Sequence, residues 1–123
     1  MTNLFQLGDF VLHSGQKSNF KIDCDALTDE DWECLAALIA KRFNFRDVVG
    51  VPQGGLKLAE KLHPFSTSSP DDPNLIVDDV LTTGRSMLEA VSFKQIGHVI
   101  GVVVFARGHC PDWVTPIFQM WKE

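Results

Sequence analysis

Leu75-Ile76-Val77-Asp78-Asp79-Val80-Leu81-Thr82-Thr83-Gly84-Arg85-Ser86 is the stretch on which the reading of this chain turns. Three apolar residues form a short strand that delivers two adjacent carboxylates to its tip. A turn rich in Thr and Gly follows. A helix is then expected from about Gly84 or Arg85, carrying Met87, Leu88 and Val91 inward. The first N–H groups of a helix have no partner within it. They point outward, and the aligned peptide dipoles favour an anion there. The hydroxyls of Thr82, Thr83 and Ser86 add donors, and Gly84 lets the backbone come close to a ligand. Asp78 and Asp79 have the wrong charge for a phosphate. They suit two neighbouring sugar hydroxyls, and they can help to hold hydrated Mg²⁺. The run therefore fits a ligand with both a phosphate and a diol, as in ribose 5-phosphate. It has neither the Lys of a Walker loop nor a G-x-G-x-x-G, so neither of those phosphate-binding mechanisms applies.

Outward from this segment, short apolar strands alternate with helices. Thr28 to Phe43 is the clearest helix, with Trp32, Leu35, Ala36, Ile39 and Phe43 on one stripe. Thr28 is placed to cap it, Asp31 to close a capping box, and Lys41 and Arg42 to meet its negative end. Val48 to Val51 reads as a buried strand. A helix from about Leu56 to Leu62 follows, with Leu56, Ala59 and Leu62 as its apolar members and Leu58 flanking them. His63 to Asn74 is loop-like, with a short edge strand expected at Phe65 to Ser68. Val99 to Phe105, interrupted by Gly101, suits a central strand covered on both faces. Trp113 to Met120 suits an edge strand, because Pro116 is poorly tolerated inside a sheet. Phe10 to His13 and Asn19 to Cys24 read as a pair of extended arms around a turn at Ser14 to Lys17. The pattern predicts a three-layer α/β domain with a mainly parallel sheet, whose ligands bind beyond the C-terminal ends of the strands. One domain is expected over 1–123, with N-terminal arms at 1–27, the α/β core at 28–107 and an edge segment at 108–123.

Composition bounds the partners. The chain has 123 residues, 45% of them apolar, and a formal net charge of −5. Its Lys and Arg are scattered, which argues against binding nucleic acid but not against a small anion held by backbone N–H groups. The three cysteines, Cys24, Cys34 and Cys110, are far apart and odd in number, which points to a reducing compartment and buried thiols. No targeting signal is apparent, and no apolar stretch approaches the roughly 20 residues of a membrane span. A cytoplasmic protein without membrane contact is expected.

Residues 74 to 86 resemble the phosphoribosyl pyrophosphate (PRPP) motif of type I phosphoribosyltransferases. The resemblance implies that fold. It implies that Asp78 and Asp79 meet the ribose hydroxyls at the catalytic centre, with Mg²⁺ bound indirectly through substrate or water. It implies that Leu81, Thr82, Thr83, Gly84, Arg85 and Ser86 wrap the 5-phosphate. Gly50-Val51-Pro52-Gln53-Gly54-Gly55, at the end of another strand, taken alone fits a structural turn as well as an anion site. It also resembles the family's pyrophosphate loop, which often holds a cis peptide. That makes Pro52, Gln53, Gly54 and Gly55 the expected pyrophosphate ligands and Val51-Pro52 a candidate cis bond.

Phe10 to Ser18 resembles orotate phosphoribosyltransferases in particular, with His13 where those enzymes usually have Lys. His13, Lys17 and Arg107 are the candidates for the base and pyrophosphate end. Each is equally open to a plain surface role. Arg107 follows the long apolar strand as Ala106-Arg107, where the orotate enzymes carry Asp-Arg and the Arg contacts the base. The largest departure is between His63 and Asn74. Related enzymes place a long, Lys-rich mobile loop there, which closes over the site and often over that of a neighbouring subunit. Pro64 to Pro73 is short and has no Lys, Arg or His.

Two functions follow as expectations. The first is transfer of ribose 5-phosphate from PRPP to a nitrogen of an orotate-like pyrimidine, with Mg²⁺, in a homodimer. The second is a protein that binds PRPP or a nucleotide without efficient transfer; in both, the partners are small molecules (PRPP, a nucleobase or a nucleotide).

Overall fold

The computed structural model describes residues 3–12, 14–94 and 98–120, with the backbone alone at 92–94. The arms form a hairpin of β1 (Phe5–Val11) and β2 (Lys17–Ile22). They start earlier in the chain than their composition suggests, and Cys24 lies past them, opening a 3-10 turn at Cys24–Ala26 that Asp23 caps. Next come α1 (Asp29–Arg42), β3 (Val48–Gly50), α2 (Leu56–Leu62), β4 (Asn74–Leu81), α3 (Arg85–Lys94), β5 (Val99–Ala106) and β6 (Val114–Gln119). The last four strands make one parallel sheet in the order β3-β4-β5-β6.

Alternation along the strands builds three layers. Leu75, Val77, Val102 and Val104 pack under α1 and α2 with Trp32, Leu35, Ile39, Leu58 and Leu62. Ile76 and Val103 face the other way, toward Met87 of α3. The residues at 102–104 are at most 1% exposed, as expected of a strand covered on both faces. Gly101 fits the same layer. A Cβ there would sit 2.7 Å from Met87 and 2.9 Å from Trp113, so the missing side chain makes room for theirs. Thr28 and Asp31 form the expected capping box on α1. β6 is the edge strand and carries Pro116, which an edge tolerates.

Three local expectations fail. On α2, Leu58 is fully buried while Leu56 is 51% exposed. A seven-residue helix fixes its phase poorly, and the sheet contact selects Leu58 and Leu62. On α3, Met87 points inward but Leu88 is 59% exposed, since a short helix on one sheet face buries only a narrow stripe. Phe65 to Ser68 is not a strand. His63–Phe65 continues α2 as a 3-10 turn with Pro64 in it, the Ser66 N–H closes that turn on His63 O, and the Thr67 N–H bonds to Phe45 O in the segment before β3.

Candidate active site

The C-terminal ends of β3, β4 and β5 converge, and the polar segments flagged by the sequence meet there. Asp78 and Asp79 lie within β4, which runs on to Leu81 and pairs with Ala106. The expected loop is thus shorter than the sequence suggests and begins at Thr82. Asp78 is 7% exposed and is the one buried charged residue among those described. Its Oδ1 accepts the Asp79 N–H at 2.8 Å, and Asp79 Oδ1 accepts the Val80 N–H at 2.7 Å. Burial, and then the carboxylate of Asp79, push Asp78 up to about 8. Burial thus favours the protonated form of Asp78, and hydroxyl groups or a cation at the site would offer it polar contacts that burial denies it.

The turn after β4 places Gly84 in the left-handed region at φ 83, where a side chain would be strained. Thr83 Oγ1 accepts the Arg85 N–H at 3.4 Å and Gly84 O accepts the Leu88 N–H at 3.1 Å. Thr83 and Ser86 are exposed and Thr82 is half-buried. Leu81 is 2% exposed, so only its backbone is available to a ligand. The Arg85 guanidinium turns to Glu89 at 3.2 Å, one helical turn along an exposed face.

The second junction lies against the first. Val51 N–H donates to Val77 O at 2.9 Å and Gly55 N–H to Val51 O at 2.8 Å. A Cβ on Gly54 would overlap the Asp79 carboxylate, and one on Gly55 would overlap the Val77 carbonyl. Both glycines are present because the two loops touch. The cis peptide is Pro52-Gln53, one bond beyond the Val51-Pro52 candidate. Pro52 and Gln53 are exposed, at the mouth of the site.

At the base end, Arg107 is tied into the structure. Its N–H donates to Leu81 O at 2.7 Å. Its Nη2 donates to Ser18 Oγ at 2.5 Å and Phe20 O at 3.0 Å, and its guanidinium lies 3.9 Å over the Phe20 ring. Lys17 is exposed, and with Asp9, Phe10, Val11, Ser18 and Asn19 it lines an open cavity of about 510 Å³. His13 lies outside the described residues. Two residues here were not anticipated. Phe20 supports Arg107, and Cys24 lies beside Asp79. Burial, and then the negative charge of Asp79, push the Cys24 thiol up to about 12, so it stays neutral and unreactive. Neither carries a sequence signal, because an aromatic in a strand and a buried thiol are ordinary core choices.

Among the described residues no three His, Cys, Asp or Glu side chains converge as a metal cluster. The hard oxygens of Asp78 and Asp79 still fit Mg²⁺, which keeps several waters and takes one or two carboxylates together with substrate phosphates. No helix among those residues is long and apolar enough to cross a membrane.

No family model matches the sequence. Two curated proteins, both named orotate phosphoribosyltransferase, are similar to it. The one from Methanocaldococcus jannaschii is 31% identical over 124 residues, covering 80% of this chain and 69% of its own length. The one from Carboxydothermus hydrogenoformans is 30% identical over 146 residues, covering 94% of this chain and 76% of its own length. Both alignments are longer than the stretch of this chain that they cover, so both relatives carry inserted residues missing here. Among solved structures, the orotate phosphoribosyltransferase from Aeropyrum pernix shares the fold with a TM-score of 0.73 at 22% identity, over 95% of this chain and 88% of that one.

Proposed function

This chain belongs to the orotate phosphoribosyltransferase family, and we propose that it transfers ribose 5-phosphate from PRPP to a ring nitrogen of an orotate-like pyrimidine, releasing pyrophosphate. One observation carries this reading. Gly54, in the segment after β3, lies against the Asp79 carboxylate of β4. Two backbone-rich loops suited to anions thus flank one acidic pair suited to a diol. Asp78 and Asp79 take the 2- and 3-hydroxyls. The backbone of Leu81 to Ser86, with the Thr82, Thr83 and Ser86 hydroxyls, takes the 5-phosphate. Pro52, Gln53, Gly54 and Gly55 take the pyrophosphate, and Lys17, His13 and Arg107 serve the base and pyrophosphate end. Arg85, which faces Glu89, contributes its N–H rather than its charge.

The reaction breaks the bond from ribose C1 to a pyrophosphate oxygen and forms a bond from C1 to nitrogen, and the base loses its proton to solvent. The loops hold the sugar while C1 gains positive character, and they stabilise the departing anion. Mg²⁺, when bound with PRPP at Asp78 and Asp79, offsets the charge of pyrophosphate. A homodimer in the cytoplasm belongs to the same proposal.

The placement of residues 63–73 favours a second reading, binding of PRPP or a nucleotide with slow transfer. Thr67 N–H and Oγ1 donate to Phe45 O at 2.9 and 3.1 Å, and Ser66 Oγ donates to Arg46 O. Those bonds hold the segment at the N-terminal end of the sheet, four to five strand residues short of Asp78 and Asp79, or about 15 Å. A closed site excludes water and strengthens fixed charges, and this segment brings neither benefit. Incubation with PRPP, MgCl₂ and a panel of orotate, uracil and purine bases, with pyrophosphate release as the readout, tests both readings. Turnover with orotate of about 1 to 1000 per second supports the first. PRPP binding by calorimetry with turnover below that range, and PRPP hydrolysis alongside it, supports the second. Absence of PRPP binding overturns both.

A further inference from the structure

We infer that Arg107 is a positioning residue that fixes the acceptor-side hairpin at a set distance from the phosphate loop, and that Ser18 and Phe20 complete its socket. The inference rests on the proposed reading of the site only where acceptors are concerned.

Arg107 holds two regions at once. Its backbone N–H bonds to Leu81 O, the last β4 residue before the phosphate loop. The next residue supports the same loop, because a Cβ on Gly108 would overlap the Thr82 carbonyl. Its side chain reaches β2, 89 positions away in the chain, where Nη2 meets Ser18 Oγ and Phe20 O and the guanidinium plane covers the Phe20 ring. The receiving side is rigid. Ser18 Oγ also donates to Phe20 O at 2.9 Å and accepts the Phe20 N–H at 3.2 Å. Ser18 is thus a hub with three polar bonds, next in sequence to Lys17. One Nη2 that donates twice, with the guanidinium carbon 3.9 Å from the Phe20 ring centroid, uses the broad cation that Arg supplies and Lys does not. On its own, a two-stranded hairpin is marginally stable. Beside this socket, its described ring contact with the sheet is Phe5 edge-on to Phe105 at 5.9 Å. Arg107 therefore sets where β2 and Lys17 stand relative to the phosphate loop.

A direct clamp on a carboxylate and a positioning role make opposite predictions about acceptors. Arg107→Ala, Arg107→Lys, Ser18→Ala and Phe20→Leu are compared with the parent protein. Hydrogen exchange of the 17–22 amides is followed, together with calorimetry for inorganic phosphate, orotate and uracil. Positioning predicts at least tenfold faster exchange at 17–22 in Arg107→Ala, with phosphate affinity within about twofold. It predicts comparable losses of orotate and uracil affinity. Ser18→Ala and Phe20→Leu should reproduce part of each effect, and Ser18→Ala should add little to Arg107→Ala, because both break one socket. Unchanged exchange in Arg107→Ala overturns the inference, whatever the state of the proposed function. So does a loss confined to orotate, with Ser18→Ala and Phe20→Leu silent. Absence of PRPP and phosphate binding in the parent overturns the proposed function instead, and the exchange measurement still decides the role of Arg107 in the hairpin.

Discussion

β4 carries a different kind of polar segment at each end. Residues 63–73, before it, satisfy themselves. Thr67 Oγ1 reaches Asp72 at 2.6 Å and Phe45 O at 3.1 Å, Ser69 O accepts the Asp72 N–H, and Ser69 Oγ accepts the Asp71 N–H. The group is mostly exposed, and its polar atoms are hydrogen-bonded among themselves and to Phe45 O. Asp78 and Asp79, near the other end, are crowded together. They are adjacent carboxylates in a half-buried setting with Gly54 packed against one of them and the Cys24 thiol nearby. The first arrangement closes a connection. The second buries one carboxyl beside another and raises the pKa of Asp78, which is a common mark of a functional site. Both stretches are polar, so polarity alone does not tell them apart; burial and mutual distance do.

The contrast can be broken most sharply through its glycines. Gly55→Ala drives a Cβ into the Val77 carbonyl, a backbone atom that cannot swing aside. A loss of about 2–3 kcal/mol is expected from such overpacking, measured as a shift in the urea midpoint. A change within 0.5 kcal/mol would show that the junctions are not in tight contact.

Next in size is the division of labour within the site. Asp78→Asn combined with Asp79→Asn should weaken ribose 5-phosphate binding at least tenfold, about 1.4 kcal/mol. Inorganic phosphate should change less than about twofold, because backbone groups hold it. Equal losses in calorimetry would place the phosphate on the carboxylates instead.

The pH dependence of stability sharpens the comparison further. The folded value of Asp78, about 8, lies above its ordinary 3.8. Below the ordinary value both folded and unfolded chains hold the proton, and no effect is expected. As pH rises toward 8 the unfolded chain releases the proton and the folded one retains it, so this group progressively destabilises the fold. Asp78→Asn should therefore match the parent near pH 3.5 and become more stable between pH 4 and 8, by about 1 kcal/mol at the upper end. Thermal melts across that range check it. A variant less stable than its parent at pH 8 would mean that the buried carboxylate is compensated.

The smallest effect belongs to the other end of β4. Thr67→Ala removes side-chain bonds to Phe45 O and Asp72 and should cost about 1 kcal/mol of stability. PRPP affinity should not move. A fall in that affinity would place the segment in the site after all.

By itself the sequence determined the layers and the place of the Thr-Gly turn after β4. Alternating apolar strands and a 3.6-residue stripe state which surfaces must be buried, and Thr-Thr-Gly states where a strand gives way to a helix. These are local properties, carried by neighbours in the chain. Only the tertiary structure decided the rest. Leu58 rather than Leu56 faces the sheet because of where α2 lies. Gly54 belongs with Asp79 because β3 and β4 are adjacent. Arg107 meets Ser18 and Phe20 although 87 or more positions separate them. Contacts of that range depend on how strands are ordered and how a hairpin folds back. No local pattern of residues encodes either, because each depends on the packing of the whole chain.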